Sequence, residues 1–256
     1  MDKISITIVA YHNYDEVKEA IYTIEKYTNK NITKHIYIVD NSLTVNKEFE
    51  KIISFFKDVE YLNTGANLGF GKGHNYVLDK INSKYHAIVN PDIILKEDSL
   101  SKLISFMESN ESFGMCVPKL IDEKGNMQFV YRKNPTIFDM FIRMFCKKLF
   151  PKRIKYHTLQ NKDYTKPFQV PFAQGSFLII KSQLFKELKG FDENFFMYME
   201  DADLCRRVNQ ITKLMYCPET EVIHKWNKGS HKNIMLFMSH IKSMKYYFTK
   251  WGYSLF

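Results

Sequence analysis

The stretch ISITIVAYHNYDEV, residues 4–17, decides the fold, because an apolar run gives way to a polar turn and then to a helical pattern. The pattern continues through Val17, Ile21 and Ile24, which are spaced as one face of a helix requires. A second apolar run, HIYIVDNS at 35–42, follows the helix. The order strand, helix, strand is typical of a sheet covered by helices.

The same alternation recurs further along the chain. A strand is predicted for VEYLNTG at 59–65, a glycine-rich turn and helix for 65–82, and another strand for YHAIVNPDI at 85–93. The stretch at 98–109 has a helix-like pattern, and the one at 113–118 is short and apolar. Strands that alternate with helices predict an α/β fold with a mostly parallel central sheet flanked by helices.

Length and composition bound the class of protein. At 256 residues the chain is long enough for one sizeable core, and 45% hydrophobic with 25% charged residues is ordinary for a folded protein. We expect a single domain over 1–256. The four cysteines lack CxxC spacing and the N-terminus has no cleavable-signal pattern, which together predict a reducing, cytoplasmic setting.

The charge balance predicts an anionic partner. The formal net charge of +9 suits a nucleotide, a nucleic acid or an anionic lipid surface. No nucleic-acid-binding module is recognisable, so nucleic acid is not the expected partner. No apolar run is long enough to cross a bilayer. Two stretches, 137–166 and 233–256, mix large apolar side chains with lysines, and the first reads either as a helix with a solvated basic face or as a membrane-surface segment.

Acids and amides follow two of the predicted strands. Asp40 comes directly after HIYIV, and Asn90, Pro91 and Asp92 come directly after YHAIV. Ligands gather at the carboxyl ends of strands in such sheets, so these residues are expected at one edge. Asp92 is a candidate ligand for a hard divalent cation that also contacts phosphate oxygens. His224, after another apolar run, is either a second ligand or a structural histidine.

Glycines are concentrated in NTGANLGFGKGHN at 63–75. Just before a helix they can bring backbone N–H groups up to a phosphate or ribose; alternatively, the loop merely needs positive φ angles. The G-x-G-x-G spacing differs from G-x-G-x-x-G, which disfavours a nicotinamide dehydrogenase. A strand is predicted for QVPFAQGSFLIIK at 169–181, in which Gly175 allows close approach of another part of the backbone.

Three acids lie within four positions in FFMYMEDADLCRR, residues 195–207. They could cap a helix that begins near Asp201, or one of them could act as a proton acceptor in a cleft. Asp203 and Arg207 are four positions apart, so they are expected to pair along that helix. Glu200 and Asp201 are then left for the cleft.

In their order and spacing, these motifs resemble a family-2 glycosyltransferase of the GT-A fold, in its rhamnosyltransferase-like branch. The matching segments are IVAYHN, IVDNS, NLGFGKGHN, the NPD turn, QGSFLIIK, GFDENFFMYMEDADLCRR and the histidine segment that ends at Ser230. The resemblance implies a nucleotide-binding half at about 1–120, an acceptor-binding half at about 121–232 and an amphipathic C-terminal segment at 233–256.

The resemblance also implies a role for each matching residue. Asp201 would be the catalytic base, and Glu200 would support the base or bind the acceptor. Asp92 would hold Mg²⁺ or Mn²⁺, with His224 as a further ligand. Asp40 would accept a hydrogen bond from the uracil or thymine ring, and the rest of the donor site would comprise Ala10, Tyr11, Asn13, Asn67, Gly69, Asn75 and Asn90. Many relatives have a D-x-D motif where this chain has Asn90, Pro91 and Asp92, which leaves the need for metal open.

The implied reaction is a single displacement that inverts the anomeric centre of a nucleoside-diphosphate sugar. The first expectation is L-rhamnose from dTDP-rhamnose, and a UDP-hexose or galactofuranose transferase is the alternative within this fold. The acceptor would be a polyprenyl-diphosphate-linked glycan of bacterial capsule, O-antigen or cell-wall polysaccharide. The protein would then be peripheral, on the anionic inner face of the cell membrane. A non-catalytic nucleotide-sugar or polyanion binding module is the alternative outside the transferases.

Overall fold

The computed structural model describes residues 2–225 and 234–256. In chain order its strands are β1 Asp2–Ala10, β2 Lys34–Asp40, β3 Val59–Asn63, β4 Ser83–Val89, β5 Ile93–Ile94, β6 Phe113–Ile121, β7 Tyr131–Arg132, β8 Phe168–Gln169, β9 Phe172–Ala173, β10 Phe177–Lys181 and β11 Lys213–His224. Its helices are α1 Tyr14–Tyr27, α2 Lys47–Ile53, α3 Phe70–Asn75, α4 Ser99–Glu108, α5 Ile137–Phe141, α6 Pro151–His157, α7 Ser182–Glu187, α8 Glu200–Ile211 and α9 Ile234–Trp251. The predicted histidine segment lies outside the described residues from Trp226 to Ser230.

Nine of the described strands form one sheet in the order β3-β2-β1-β4-β10-β6-β11-β5, with β8 also paired to β11. The pairs β1–β2, β1–β4, β2–β3 and β6–β11 are parallel, whereas β10 runs antiparallel to both β4 and β6. The mostly parallel sheet with helices on its faces confirms the predicted fold class. Helices can cover both faces because most positions of the long strands β1, β2, β4 and β6 are buried.

The register brings the polar strand ends to one edge. Ala10 lies opposite Asp40, and Asp40 lies opposite Asn63. Because β10 is reversed, it begins at this edge instead of ending there, with Phe177 opposite Val89. The edge therefore collects the carboxyl ends of the parallel strands together with the turn that precedes β10.

The buried side chains of β1 and α1 explain why residues 4–17 form a strand followed by a helix. Ile4, Ile6 and Ile8 alternate along β1 and are fully buried. The buried positions of α1 include Val17 and Ile21, which recur at helical spacing. Each such side chain contributes about 1.5–3 kcal/mol by leaving water, so this unit is fixed by many buried contacts.

The turn and helix predicted for 65–82 are both present, and the helix is divided into α3 and a 3₁₀ turn at Leu78–Lys80. Gly65 and Gly69, in the turn, have φ angles of 67° and 79°, which a right-handed helix does not allow. The strand predicted for 169–181 is divided into β8, β9 and β10. Pro171, which has no N–H for a ladder, interrupts it once, and a turn at 175–176 interrupts it again.

The two amphipathic stretches lie side by side. The first is broken into α5, a π-helical turn at Ile142–Cys146 and α6. The backbone N–H of Ile137 donates to Ser254 O at 3.0 Å, and that of Phe138 donates to Leu255 O at 3.2 Å. These bonds tie the end of the chain to α5. None of the described helices has the length and apolar character to cross a bilayer.

Candidate active site

Asp40 is fully buried at the end of β2, and its carboxylate is held on both oxygens. Tyr61 OH donates to Oδ2 at 2.6 Å and Tyr14 OH donates to the same oxygen at 3.1 Å. The backbone N–H of Ser42 donates to Oδ1 at 3.0 Å. Burial, followed by the Asp40 charge and hydrogen bond, raises the pKa of Tyr61, so this hydroxyl remains a donor. Asp40 is thus a fixed acceptor at the sheet edge.

The turn after β1 carries three of the residues predicted for the donor site. Ala10 is fully buried, whereas half of Tyr11 is exposed. Asn13 Oδ1 accepts from the backbone N–H of Tyr11 at 2.8 Å, which closes the turn. The Tyr11 ring packs against His12, with 4.6 Å between the ring centres, and the role of these residues in the donor site remains a prediction.

The glycine-rich loop is held against the segment that leads into α8. The N–H of Phe70 donates to Phe196 O at 3.1 Å. A Cβ on Gly69 would lie 2.0 Å from that same carbonyl oxygen, so no other residue fits at this position. Asn67 Oδ1 accepts from Gly69 N–H at 3.1 Å, and Asn41 Nδ2 donates to Gly69 O at 2.9 Å. Gly69 thus joins two parts of the chain that are far apart in sequence.

Asn75 fastens the same two segments at a second point. Its Nδ2 donates to Phe191 O and its Oδ1 accepts from Phe191 N–H, both at 2.8 Å. A Cβ on Gly190 would lie 2.1 Å from Asn75 Oδ1, which explains the glycine there. In this structure the Asn75 amide positions the loop, and direct contact with a donor sugar remains a prediction.

Asp92 and His224, the predicted metal ligands, lie next to each other. Oδ2 of Asp92 is 3.5 Å from Nε2 of His224, and both residues are largely buried. Lys225 N–H donates to Asp92 O at 3.0 Å, which joins the NPD turn to the end of β11. Oδ1 of Asp92 is buried and has no hydrogen-bond partner among the described residues.

Gln128 determines which nitrogen of His224 carries the proton. Its Nε2 donates to the His224 carbonyl oxygen at 2.8 Å, so its Oε1 must be the atom 2.8 Å from His224 Nδ1. Nδ1 is therefore the donor, and in the neutral ring Nε2 directs its lone pair toward Asp92. Burial lowers the pKa of His224, while the charge of Asp92 opposes this shift. The ring is thereby held in the form that binds metal.

These features fit a divalent cation. The buried Oδ1 of Asp92 has no partner among the described residues, and a carboxylate beside an imidazole nitrogen is a ligand set that a divalent cation can take. Within 2–225 and 234–256, no group of three His, Cys, Asp or Glu side chains could hold a metal ion. Two protein ligands are nevertheless a common arrangement for Mg²⁺ that also binds substrate phosphates.

Glu200 and Asp201 open α8, where Glu200 packs near the glycine loop and the carboxylate of Asp201 bonds to the turn before β10. Oδ2 of Asp201 accepts from Gly175 N–H at 3.1 Å, and Oδ1 accepts from Ala202 N–H at 2.8 Å. Glu200 is buried, and its Oε2 has no hydrogen-bond partner in the described part of the chain. A Cβ on Gly71 would lie 3.6 Å from the Cβ of Glu200.

The two acids differ in protonation. Burial, and then the charge of Asp201, raises the pKa of Glu200 to about 8. Burial also raises the pKa of Asp201, but the Gly175 hydrogen bond and the charge of Arg132 oppose this. At neutral pH Glu200 is therefore the neutral acid, and Asp201, whose contacts favour its carboxylate form, is the more readily ionised of the two. Asp201 is stabilised in that form by the positive end of the helix dipole.

The backbone before these acids is strained. Tyr198 and Met199 both have φ angles of 70°, in the left-handed region that favours glycine. Each such residue costs roughly 1–2 kcal/mol. Consecutive strained residues next to buried acids are typical of a functional site, since the surrounding structure must hold them there.

Asp203 is a structural acid, as predicted. Its Oδ2 accepts from Arg207 Nε at 2.8 Å, which confirms the expected pairing along α8. Its Oδ1 accepts from Trp251 Nε1 at 2.8 Å and lies 2.7 Å from Lys250 Nζ. The three acids at the start of α8 thus serve both functions that the sequence left open. Asp203 anchors the helix, and Glu200 and Asp201 lie at the sheet edge.

The turn before β10 connects the two ends of the site. Gly175 donates to Asp201, while Ser176 O accepts from the N–H of Asn90 at 2.8 Å. A Cβ on Gly175 would lie 3.3 Å from Asp201 Cβ, which confirms the predicted close approach. The NPD turn and the acids of α8 are therefore joined through two adjacent residues.

Several contributors escaped sequence analysis. Tyr14 and Tyr61 read as ordinary apolar positions of a helix and a strand, and Gln128 lies in an irregular stretch without a motif. Arg132 is in a two-residue strand. Nothing local in the sequence marks these four residues, because their roles depend on contacts with distant segments.

Comparisons with known proteins agree with this geometry. The family described as Glycosyl transferase family 2 matches residues 5–189. Rhamnosyltransferase WbbL of Escherichia coli K12 is 26% identical over 251 residues, covering 93% of this chain and 89% of WbbL. The N-acetylglucosaminyl-diphospho-decaprenol L-rhamnosyltransferase of Mycobacterium tuberculosis H37Rv is 23% identical over 237 residues, covering 87% of this chain and 76% of that protein.

A solved structure gives the same fold. The crystal structure of GalNAc-T7 with UDP, GalNAc and Mn²⁺ superposes with a TM-score of 0.71 at 16% identity. The match covers 91% of this chain but only 45% of that one, so it bears on the fold alone. Because the family match extends over more than half of the sequence, the chain belongs to glycosyl transferase family 2 and has the GT-A fold.

Proposed function

We propose that the protein is an inverting, metal-dependent transferase of L-rhamnose from dTDP-rhamnose to a hydroxyl group of a polyprenyl-diphosphate-linked glycan. The choice of sugar rests on similarity to two rhamnosyltransferases, one named for a diphospho-decaprenol acceptor. A UDP-hexose or galactofuranose donor is the alternative. The product would be part of a bacterial capsule, O-antigen or cell-wall polysaccharide.

The observation that carries the proposal is the link through Gly175 and Ser176. Ser176 O bonds to the NPD turn, and Gly175 N–H bonds to Asp201. A donor diphosphate beside Asp92 and an acceptor hydroxyl beside Asp201 would therefore lie on two sides of one short turn. A single displacement requires this arrangement, because leaving group and base act at opposite faces of the same sugar carbon.

Asp92 and His224 would hold Mg²⁺ or Mn²⁺ together with the donor's phosphate oxygens. A bound cation supplies charge stabilisation for the departing nucleoside diphosphate. Gln128 keeps the His224 lone pair directed at the site. The N–H groups around the glycine loop and the buried Asp40 would orient the nucleotide without reorganisation during the reaction.

Asp201 would accept the proton of the attacking hydroxyl group. Burial raises its pKa, which makes it a stronger base than an exposed aspartate, while the Gly175 hydrogen bond and the charge of Arg132 favour its ionised form. Glu200, protonated beside it, can donate a hydrogen bond and does not compete for the proton. The neutral acid therefore suits a role in orienting the acceptor.

A peripheral position on an anionic membrane surface is part of the proposal. Phe141, Phe145 and Leu149 expose 52%, 63% and 75% of their surface beside exposed lysines. On α9, Ile234 and Met235 are also mostly exposed. Aromatic and aliphatic side chains flanked by lysines are typical of segments that lie at a lipid interface.

A donor screen tests the transferase. Thermal stabilisation and slow donor hydrolysis would be measured with dTDP- and UDP-sugars, each with Mg²⁺, with Mn²⁺ and with EDTA. We expect dTDP-rhamnose with metal to give the largest effect in both measurements. Binding of many nucleotide sugars without any hydrolysis or transfer would instead indicate a binding module.

Vesicle sedimentation tests the membrane role separately. The protein should co-sediment with anionic vesicles at low salt and be released at high salt. A variant with Lys147, Lys148 and Lys152 changed to Gln should sediment less while retaining donor hydrolysis. Equal sedimentation with neutral and anionic vesicles would contradict the electrostatic part of the proposal.

A further inference from the structure

Arg132 and Arg143 are mostly buried, and neither forms an ion pair with a carboxylate within the described residues. Arg153, by contrast, donates two hydrogen bonds to Asp139, at 2.6 and 2.9 Å. Nε of Arg132 is buried and lacks a hydrogen-bond partner in the described part of the chain. Because a guanidinium group stays protonated in proteins, burying two of them without counter-charges is costly and calls for an explanation.

Arg132 lies on the strand next to the turn that holds Asp201. β7 pairs antiparallel with β9, and Arg132 lies opposite Phe172, with its guanidinium 5.4 Å from the Phe172 ring centre. β9 is fixed to α8 in turn, because the N–H of Ala173 donates to Cys205 Sγ at 3.4 Å. β9 then leads directly to Gly175, the donor to Asp201. The guanidinium of Arg132 is thus beside the acceptor side of the site.

Arg143 lies in the π-helical turn and interacts electrostatically with the same acid. Burial lowers the pKa of both arginines, and the negative charge of Asp201 opposes this in each. The charge of Arg143 lowers the pKa of Arg132 further, so the two guanidinium groups repel each other. Burial and these positive charges lower the pKa of His240 to about 4. The charge of Asp139 also opposes the shift of Arg143, but Asp139 is already bonded to Arg153, so three arginines face two acids and the cluster keeps an excess of positive charge.

We propose that Arg132 and Arg143 bind the diphosphate group of the lipid-linked acceptor beside Asp201. Two guanidinium groups offer many donors in planar forks, which match the oxygens of a diphosphate better than those of one carboxylate. The bound anion supplies the counter-charge that the described residues do not. This inference rests on the proposed function, because it takes the acceptor to be a lipid diphosphate.

The position of the pair favours the acceptor over the donor as the source of the diphosphate. The donor's diphosphate belongs with Asp92 and His224, which adjoin Ser176, whereas Arg132 adjoins β9 on the other side of Gly175. Arg143 is also in the turn whose outer side exposes Phe145. A lipid diphosphate bound there would have its hydrocarbon chain beside the segment proposed to contact the membrane.

Binding measurements on the full chain can separate the two sources. The probes are farnesyl diphosphate, and dTDP or UDP with Mn²⁺, titrated into the wild type, R132Q, R143Q, R132K and K155Q. Lys155 is exposed on α6 and is not one of the three lysines changed in the vesicle test, so K155Q removes one charge from the same region without touching the pair. Charge-assisted hydrogen bonds predict that R132Q and R143Q each weaken farnesyl diphosphate binding by roughly 10- to 100-fold. Nucleotide binding should be unchanged in every variant, K155Q should bind farnesyl diphosphate like the wild type, and R132K should be intermediate.

Each other outcome overturns the inference. If R132Q and R143Q weaken dTDP–Mn²⁺ binding and leave farnesyl diphosphate unchanged, the pair serves the donor. If neither ligand is affected, or if the wild type does not bind farnesyl diphosphate, the pair is not an acceptor site. Donor hydrolysis by the wild type, measured in parallel, reports separately on the transferase. R143Q provides the result if R132Q does not fold, as judged by its thermal transition.

Discussion

Oδ2 of Asp92 and Nε2 of His224 lie 3.5 Å apart where β11 pairs with β5, although the two residues are 132 positions apart in the chain. Two acceptor atoms at this distance need a proton or a cation between them. Since Gln128 places the ring proton on Nδ1, a cation is the better partner.

Gln128→Leu should therefore weaken metal binding. Without the Oε1 acceptor, the imidazole loses its fixed tautomer and orientation, and outer partners of this kind contribute about 10- to 100-fold to metal affinity. Free Mn²⁺ would be measured by EPR in the presence of saturating UDP. Gln169→Leu is the matched control, since Gln169 bonds to Asn209 instead. Unchanged Mn²⁺ affinity in Gln128→Leu would show that Gln128 does not position the ligand.

Asp201→Asn should abolish turnover while preserving the fold. Loss of a general base lowers rates by about 10²- to 10⁴-fold, and nucleotide binding should be unaffected because Asp201 is on the acceptor side. Steady-state transfer would measure turnover, and dTDP titration would measure nucleotide binding.

Asp203→Asn should instead lower stability. It leaves Arg207 and Lys250 without their buried partner and should cost about 3 kcal/mol in unfolding free energy.

Glu200→Gln should change how stability depends on pH. The pKa of Glu200 is raised from 4.5 to about 8 in the fold, so the folded state binds the extra proton between these values. Its contribution to stability is complete below pH 4.5 and is lost as the pH rises through 8. The variant should match the wild type near pH 5 and have a higher melting temperature at pH 8.5. A constant difference between the two across this range would refute the assigned protonation.

A comparison of Gly69→Ala with Gly65→Ala separates the cost of backbone strain from the cost of a steric clash. Both glycines have positive φ, but a Cβ on Gly65 would meet nothing within 4 Å, whereas one on Gly69 would meet Phe196 O at 2.0 Å. Gly65→Ala should cost about 1–2 kcal/mol of unfolding free energy. Gly69→Ala should cost clearly more and should also weaken nucleotide binding. Equal losses in urea unfolding would mean that the contact with Phe196 contributes nothing.

The sequence predicted the parts of the site that follow apolar strands. Asp40 and Asp92 each end a buried run, and the rule that ligands gather at carboxyl ends placed them at one edge. Glu200 and Asp201 were identified because acids rarely follow so apolar a segment. Such signals are local, so one sequence suffices to read them.

Other parts of the site could not be predicted, because they depend on β10 being reversed. The rule about carboxyl ends does not anticipate a strand that begins at the site. Nothing in the sequence therefore indicated that Gly175 bonds to Asp201 or that Ser176 bonds to Asn90. Gln128 and Arg132 lie in irregular or two-residue elements that carry no periodicity.

The partners of Asp203 come from two helices. Arg207 is four residues along α8, whereas Lys250 and Trp251 lie at the end of α9. The first turn of the helix that begins with Glu200 and Asp201 is therefore fastened from outside by a second helix. A substitution that loosens α9 would thus disturb both acids at a distance, without contact with either of them.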